Sequence, residues 1–320
     1  MRWNITFEAR FVYPTEQTMN ESDQSSGFAG NTVMPAGISP EEGGSPRRDP
    51  GGLPVLQSPL LLASGFCHAF FTRLGGVSRP PWDSLNFSAG VGDDPAAVAE
   101  NLRRAEGFLK VAPGRLYFLS QVHGSDYRVL EGTEGWEEVV QSVGDITLSH
   151  TAGVGCGIRT ADCVPVLLAD KKSGAVAAVH SGWRGTAARV AMTGVRALRE
   201  LIGAGGGELI AAVGPHIEAC CFEVGEDVAR ELAGASTAGE SAVLRGSKAL
   251  CEDAPPEGKP RVDLRRIVRA QLEEAGIEPG SIDDVRGCTV CDKERFHSFR
   301  RDRDRSGRLL SAVVARGARS

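Results

Sequence analysis

Behind an Asp94-Pro95 pair, apolar positions recur every three to four residues at Val98, Leu102, Ala105 and Leu109. An aspartate cap with proline in the first turn opens a helix, so the spacing predicts one from 94 to about 110. Residues 164–169 and 175–179 carry a different pattern, short β-prone apolar runs separated by Asp170-Lys-Lys-Ser-Gly174. That turn chemistry predicts a hairpin. Further strands are expected at 116–122, 209–213 and 309–315. Helices are expected at 185–202, broken by Gly203 and the 205–207 glycines, and at 263–275, closed by Gly276. Strands alternate with helices but include a hairpin. The pattern therefore predicts an α+β fold, mixed β-sheets flanked by helices, in a single catalytic domain.

The patterning lapses over residues 15–54, which are rich in Gly, Ser, Pro, Glu and Asp and sparse in large apolar side chains. Such a stretch buries too little surface to offset its ordering, so 1–54 reads as a largely disordered extension with at most a short strand over 1–13. The catalytic body is expected over 55–320, with 234–260 as a polar surface loop. No internal repeat is evident. Of the 320 residues, 41% are hydrophobic and 24% charged, enough for a sizeable core. The net charge of −5 gives no general pull toward nucleic acid or anionic membrane. No apolar run is long enough to span a bilayer, and residues 1–14 lack the apolar centre of a secretory signal. The eight cysteines read as reduced thiols in a cytoplasmic protein.

Three motifs put a metal-competent side chain at a strand end beside small residues: Ser120-Gln-Val-His123-Gly124, Thr160-Ala-Asp-Cys163 and Ala178-Val-His180-Ser-Gly-Trp183-Arg-Gly185. The hairpin would bring Cys163 and His180 to the same end of adjacent strands. Two imidazoles and a thiolate fit a zinc site with one position left open for catalysis. Equally, a histidine at a strand end can serve as a hydrogen-bonding residue, and a cysteine as a small buried group.

These segments resemble the laccase-domain family, whose members are described both as multicopper polyphenol oxidases and as purine nucleoside phosphorylases. The likeness runs through Phe71-Thr-Arg-Leu-Gly-Gly-Val-Ser78, Ser84-Leu-Asn-Phe87, Val91-Gly-Asp-Asp-Pro95 and the 119–124 motif. It continues through 157–170, Val179-His-Ser-Gly-Trp-Arg-Gly-Thr186, 213–225, Phe299-Arg-Arg-Asp302 and Gly307-Arg308. The resemblance implies a zinc site of His123, Cys163 and His180. It also implies phosphorolysis of adenosine, inosine, guanosine and methylthioadenosine, and deamination of adenosine. The partners would then be purine nucleosides and phosphate, acting on a monomer. Copper-dependent phenol oxidation is an alternative, as is a Cys163–His180 hydrolase editing peptidoglycan precursors. The chain departs from the usual pattern at Ser181 (Ala), Glu218 (Gly), Phe222 (Tyr) and Phe299 (Tyr).

Other candidates surround the trio. Arg73, before Gly75-Gly76, could hold phosphate or fasten a turn, and Arg300 and Arg301 could hold phosphate or form a solvated basic face. Asn86 could bind substrate or close a turn. Asp162 could act as a general base or brace a ligand, although an extended segment would turn it away from Cys163. Cys288-Thr-Val-Cys291 is an isolated CxxC, and of the adjacent Cys220 and Cys221 at most one is expected to face any one site. All four are expected to be structural, leaving one zinc per chain. His216 reads as a turn residue, and the 205–207 glycines lack the Lys-Ser/Thr of a phosphate loop.

Overall fold

The strand Val164–Asp170 is buried along its whole length, and its alternate residues serve two different cores. Val164, Val166 and Leu168 face one, and Leu167 and Ala169 the other, because successive side chains of a strand point to opposite faces. The computed structural model describes residues 47–48, 52–203, 207–245 and 258–318. In it this strand sits inside one of two six-stranded sheets.

That sheet runs, in spatial order, Ile282–Asp284, Leu209–Val213, Val164–Asp170, Val176–Ser181, Ile146–Ser149 and Tyr127–Val129. Its outermost pairs are parallel and the inner three antiparallel. The other sheet runs Arg47–Arg48, Pro54–Leu56, His68–Phe71, Leu309–Val314, Gly155–Thr160 and Leu116–Tyr117, antiparallel except for its last pair. Between the sheets, Phe70, Tyr117, Cys156, Ile158 and Val313 pack on Leu167, Ala169, Ala178 and Ile210. On the far face of the first sheet lie the helices Val190–Ile202, Glu226–Ala233 and Leu264–Glu274. They contribute Val195, Leu198, Leu232, Ile267 and Leu272 to a second core. The result is sheet on sheet on helices, the mixed α+β arrangement expected. Truncating a fully buried leucine such as Leu168 to alanine would cost about 2–5 kcal/mol.

Local signals are realised where the chain itself supplies the partners. Asp94 accepts a hydrogen bond from the Ala96 N–H at 2.9 Å and caps the helix Pro95–Leu109. Asp263 does the same for Leu264–Glu274 through the Arg266 N–H. The hairpin forms with Val166 opposite Val179 and Pro165 opposite His180.

Three expectations are corrected. The strand expected over 116–122 stops at Tyr117. Beyond it Ser120 makes only an isolated bridge with Val143, the N–H groups of 122–124 turn to the Asp145 carboxylate, and His123 adopts φ 63°. The helix expected over 185–202 is two helices, Trp183–Ala187 and Val190–Ile202, parted by Arg189 at φ 59°. Within 234–260, Val243–Leu244 is a strand paired with Arg261–Val262. The expectations for 1–13 and for most of 15–54 fall outside the described residues. Leu53 is buried, and Pro54–Leu56 pairs with its neighbours on both sides. Among the described residues no helix is long and apolar enough to cross a membrane.

Candidate metal centre and cleft

Pairing of Pro165 with His180 sets Cys163, just ahead of its strand, and His180, near the end of its own, at the same end of two central strands. His123 reaches the same place from the 120–124 loop. The donor atoms of His123, Cys163 and His180 all lie within 4.8 Å of one another. Cys163 Sγ is 3.7 Å from His123 Nε2, and the two imidazoles meet edge to face with centroids 4.9 Å apart. His180 is buried, Cys163 half-buried and His123 exposed, so the trio is closed on one side and open on the other.

Asp145 organises this group. Its carboxylate accepts hydrogen bonds from the N–H groups of Val122, His123 and Gly124, the last at 2.7 Å. It also contacts Nδ1 of His180 at 2.7 Å, while the His180 N–H donates to the Asp145 carbonyl. Nδ1 being engaged, Nε2 is the nitrogen left to act in the site. Burial opposes the imidazolium of His180, but Cys163 and Asp145 outweigh it and raise the group to about 9. Burial likewise opposes the thiolate of Cys163, yet His180 and His123 draw it down to about 6. A thiol so readily ionised is a strong metal donor.

The backbone leaves room for an ion. A Cβ on Gly182 would lie 2.4 Å from His123 Cδ2 and 3.1 Å from Cys163 Sγ, filling the space that the donors face. Donor chemistry and cradle together fit a three-ligand zinc site with an open side.

The trio lies on the wall of a cleft of about 520 Å³. Arg159, Arg300 and Arg308 line it, with Trp183, Phe222 and Phe299. Burial, and then the neighbouring Arg308 charge, lowers Arg159 to about 10. Burial also lowers Arg308. Among the described residues none of the three arginines forms a salt bridge with a carboxylate. Arg159 lies over Phe118 and reaches only the carbonyls of Phe87 and Leu119, at 3.4 and 3.5 Å. Two half-buried guanidinium groups with no carboxylate partner among the described residues thus line the cleft with positive charge. The positions where the chain has Phe222 and Phe299 in place of tyrosine both border this cleft, under Arg300 and Arg308 respectively.

The structure brings Asp162 and Arg300 to the cleft beside the trio. Asp162 sits at φ 93°, so the segment is a turn, and the outward orientation expected of an extended chain does not apply. Burial raises its carboxyl despite hydrogen bonds from Thr289 Oγ1 at 2.6 Å and the Arg300 N–H at 2.5 Å. Arg73, Asn86 and Arg301 are not among the lining residues. Arg73 is tied to Asp83 and to the Lys293 carbonyl, and Arg301 to Asp302 and the carbonyls of Thr289, Val290 and Phe296. Asn86, fully buried, accepts from the Arg308 N–H at 2.8 Å and donates to Asp93, bracing a cleft residue from behind.

The expectation that these cysteines lie apart is also corrected. Cys220, Cys221, Cys288 and Cys291 form a second group whose sulfurs lie within 4.8 Å of one another. The CxxC is isolated in sequence but not in space, and Cys220 and Cys221 face the same point. Sequence reasoning missed Asp145, whose only signal was its place before the β-prone Ile146-Thr-Leu148 run. It also passed over Arg159 and Arg308, though both stand inside quoted motifs, and Gln121, which brackets the Arg159 backbone with two 2.7 Å hydrogen bonds.

The profile of a family described as multi-copper polyphenol oxidoreductase laccase matches residues 67–316. A purine nucleoside phosphorylase of Deinococcus radiodurans is 38% identical over 263 residues, 82% of this chain and 93% of that protein. One from Streptomyces coelicolor is 37% identical over 250 residues, covering 78% and 96%. Among solved structures, YlmD from Geobacillus stearothermophilus superposes with a TM-score of 0.71 at 29% identity, covering 85% of this chain and 98% of that one. With that profile spanning most of the chain, and relatives of this likeness aligned along nearly their whole length, the chain belongs to the multi-copper polyphenol oxidoreductase laccase family.

Proposed function

We propose that this chain is a zinc-dependent purine nucleoside phosphorylase acting on adenosine, inosine, guanosine and methylthioadenosine, with adenosine deamination as a second activity. The observation that carries the reading is the pairing of an open His123–Cys163–His180 site with a cleft that combines arginines and aromatic rings. The names of the Deinococcus and Streptomyces relatives support the phosphorylase class.

In this reading Arg159 and Arg308 hold phosphate, whose charge relieves their mutual repulsion, and Arg300 takes the outer edge. Trp183, Phe222 and Phe299 stack against the purine and exclude water. A phosphate oxygen attacks the anomeric carbon and the glycosidic electron pair passes to the base. Asp162, whose burial favours the protonated form, supplies the proton to the departing purine nitrogen. Bound zinc supplies Lewis-acid polarisation. Asp145 keeps His180 in one tautomer and one orientation throughout. The reading sets the reaction in the cytoplasm, on a monomer, where Cys163 stays reduced.

Incubating the zinc-loaded protein with inosine, with and without phosphate, tests this. Phosphate-dependent release of hypoxanthine and ribose 1-phosphate is expected. No base release from any of the four nucleosides would refute it.

A specific observation favours a second reading. Asp145, His180 and Cys163 stand in the order of an acid–base–nucleophile triad, which suits a hydrolase of amide bonds such as those of peptidoglycan precursors. Zinc bound tightly by the trio would occupy the thiolate and exclude that role. Copper oxidation of phenols has less support, because the other histidines stand apart from the trio. His68, His216 and His297 are each buried elsewhere, and His150 lies at the surface near Glu131.

A further inference from the structure

The four-cysteine group shares no residue with the trio, and the mechanism above does not use it. It is assembled by tertiary structure. His216 and Cys288 form a parallel bridge: the His216 N–H donates to the Gly287 carbonyl at 3.1 Å, and the Thr289 N–H to the His216 carbonyl at 3.0 Å. Two turns then converge. In one, the Cys221 and Phe222 N–H groups both fold back to the Glu218 carbonyl at 2.9 Å. In the other, the Asp292 N–H closes on the Cys288 carbonyl at 3.1 Å across the CxxC. Glu218 further joins the segments by accepting from the Gly287 N–H and from Arg265.

Sulfur geometry then decides between a metal and a disulfide. Cys291 Sγ lies 3.5 Å from Cys220 Sγ and 3.3 Å from Cys221 Sγ, so it has no single partner. Zinc–sulfur bonds of about 2.3 Å arranged tetrahedrally put sulfurs ~3.8 Å apart, close to these separations. Four thiolates on one divalent cation leave a net negative charge, and cations stand against it. Arg301 donates to the carbonyls of Thr289 and Val290 inside the CxxC turn, and Arg300 reaches the Cys221 carbonyl at 3.4 Å.

We propose that Cys220, Cys221, Cys288 and Cys291 bind a second zinc ion in a closed, four-thiolate structural site. This proposal stands whether or not the nucleoside reading holds. The ion clamps the 217–222 turn to the 288–291 turn. The first carries Ile217 and Phe222 of the cleft wall, and the second carries Thr289, which holds Asp162 at 2.6 Å. The metal therefore sets the back wall of the cleft without touching substrate, in keeping with its full complement of protein ligands.

The full chain, purified under reducing conditions and loaded with cobalt(II) in place of zinc, provides the test. Cys163→Ser removes the thiolate of the first site, so any sulfur-to-cobalt charge-transfer band left belongs to the second. We expect Cys163→Ser protein to keep a strong band and one zinc per chain, and Cys163→Ser/Cys291→Ser protein to lose both. If the double variant does not fold, Cys163→Ser alone decides, with its zinc released as the cysteine thiols are titrated. Absence of the band from Cys163→Ser protein would overturn the proposal. So would its survival in the double variant, or an intact mass showing a disulfide among these cysteines in the protein as purified.

Discussion

The Asp145 carboxylate contacts Nδ1 of His180 at 2.7 Å across 35 residues of sequence, and the same group gathers three backbone N–H groups of the His123 loop. One buried side chain thus fixes two of the three proposed ligands. Asp145→Asn is expected to weaken metal affinity at the trio by about 10–100-fold, the usual effect of removing a partner behind a ligand. Competition against a chromophoric chelator measures it, and unchanged affinity would contradict this role.

Gly182 has φ −69° and ψ 168°, which alanine adopts without strain. Only the added methyl matters, and it would lie within 3.2 Å of both His123 Nε2 and Cys163 Sγ. Gly182→Ala should therefore hold one metal fewer per chain than wild type and lose turnover, with little change in the melting of the metal-free protein. Elemental analysis alongside calorimetry checks both halves.

Arg159 is one of the two arginines proposed to hold phosphate. Replacing it with methionine keeps much of the packing on Phe118 and removes the charge. A charge-assisted hydrogen bond of about 1.5–3 kcal/mol corresponds to a rise of about 10- to 100-fold in the KM for phosphate. The KM for the nucleoside should move far less. An equal rise in both constants would show that Arg159 shapes the whole cleft rather than one subsite.

His68 is buried, its Nε2 accepts from the Ser58 N–H at 2.8 Å and its Nδ1 faces the Phe66 carbonyl at 3.0 Å. That arrangement requires the neutral ring, and burial lowers the group to about 4 from an ordinary 6.5. The unfolded chain therefore binds the extra proton first. The stability from the neutral ring is complete above pH 6.5 and is lost as pH falls toward 4. The loss is on the order of 3 kcal/mol for this residue alone. Urea unfolding at stepped pH should show that decline, with a shallower slope in His68→Gln. Equal slopes in the two proteins would remove His68 from the account.

Legibility in the sequence followed the distance between partners. The 164–181 hairpin could be read because its turn residues and apolar runs are contiguous, and its register then delivered Cys163 and His180 together. The helix caps at Asp94 and Asp263 could be read for the same reason. Asp145 could not, because its four partners are supplied by two other segments. Arg73 and Arg159 carry the same guanidinium, and only the packing decides which of them reaches the cleft. The cysteine cluster was hidden because its two halves are joined by a bridge at His216 and Cys288 rather than by any spacing rule.

The uneven burial of the trio has a kinetic consequence. His180 belongs to a buried strand packed in the middle of its sheet, so it is held more firmly than a residue on a loop. His123 sits on an exposed loop moored to Asp145 by three N–H groups. In the zinc-loaded protein proposed here, exchange of the ion with solution is therefore expected to begin at His123, by a brief lifting of residues 120–124. The rate at which isotopically labelled zinc replaces the trio's ion, read in protein whose four-cysteine group keeps its own metal, would then report that small opening and not the durability of the fold.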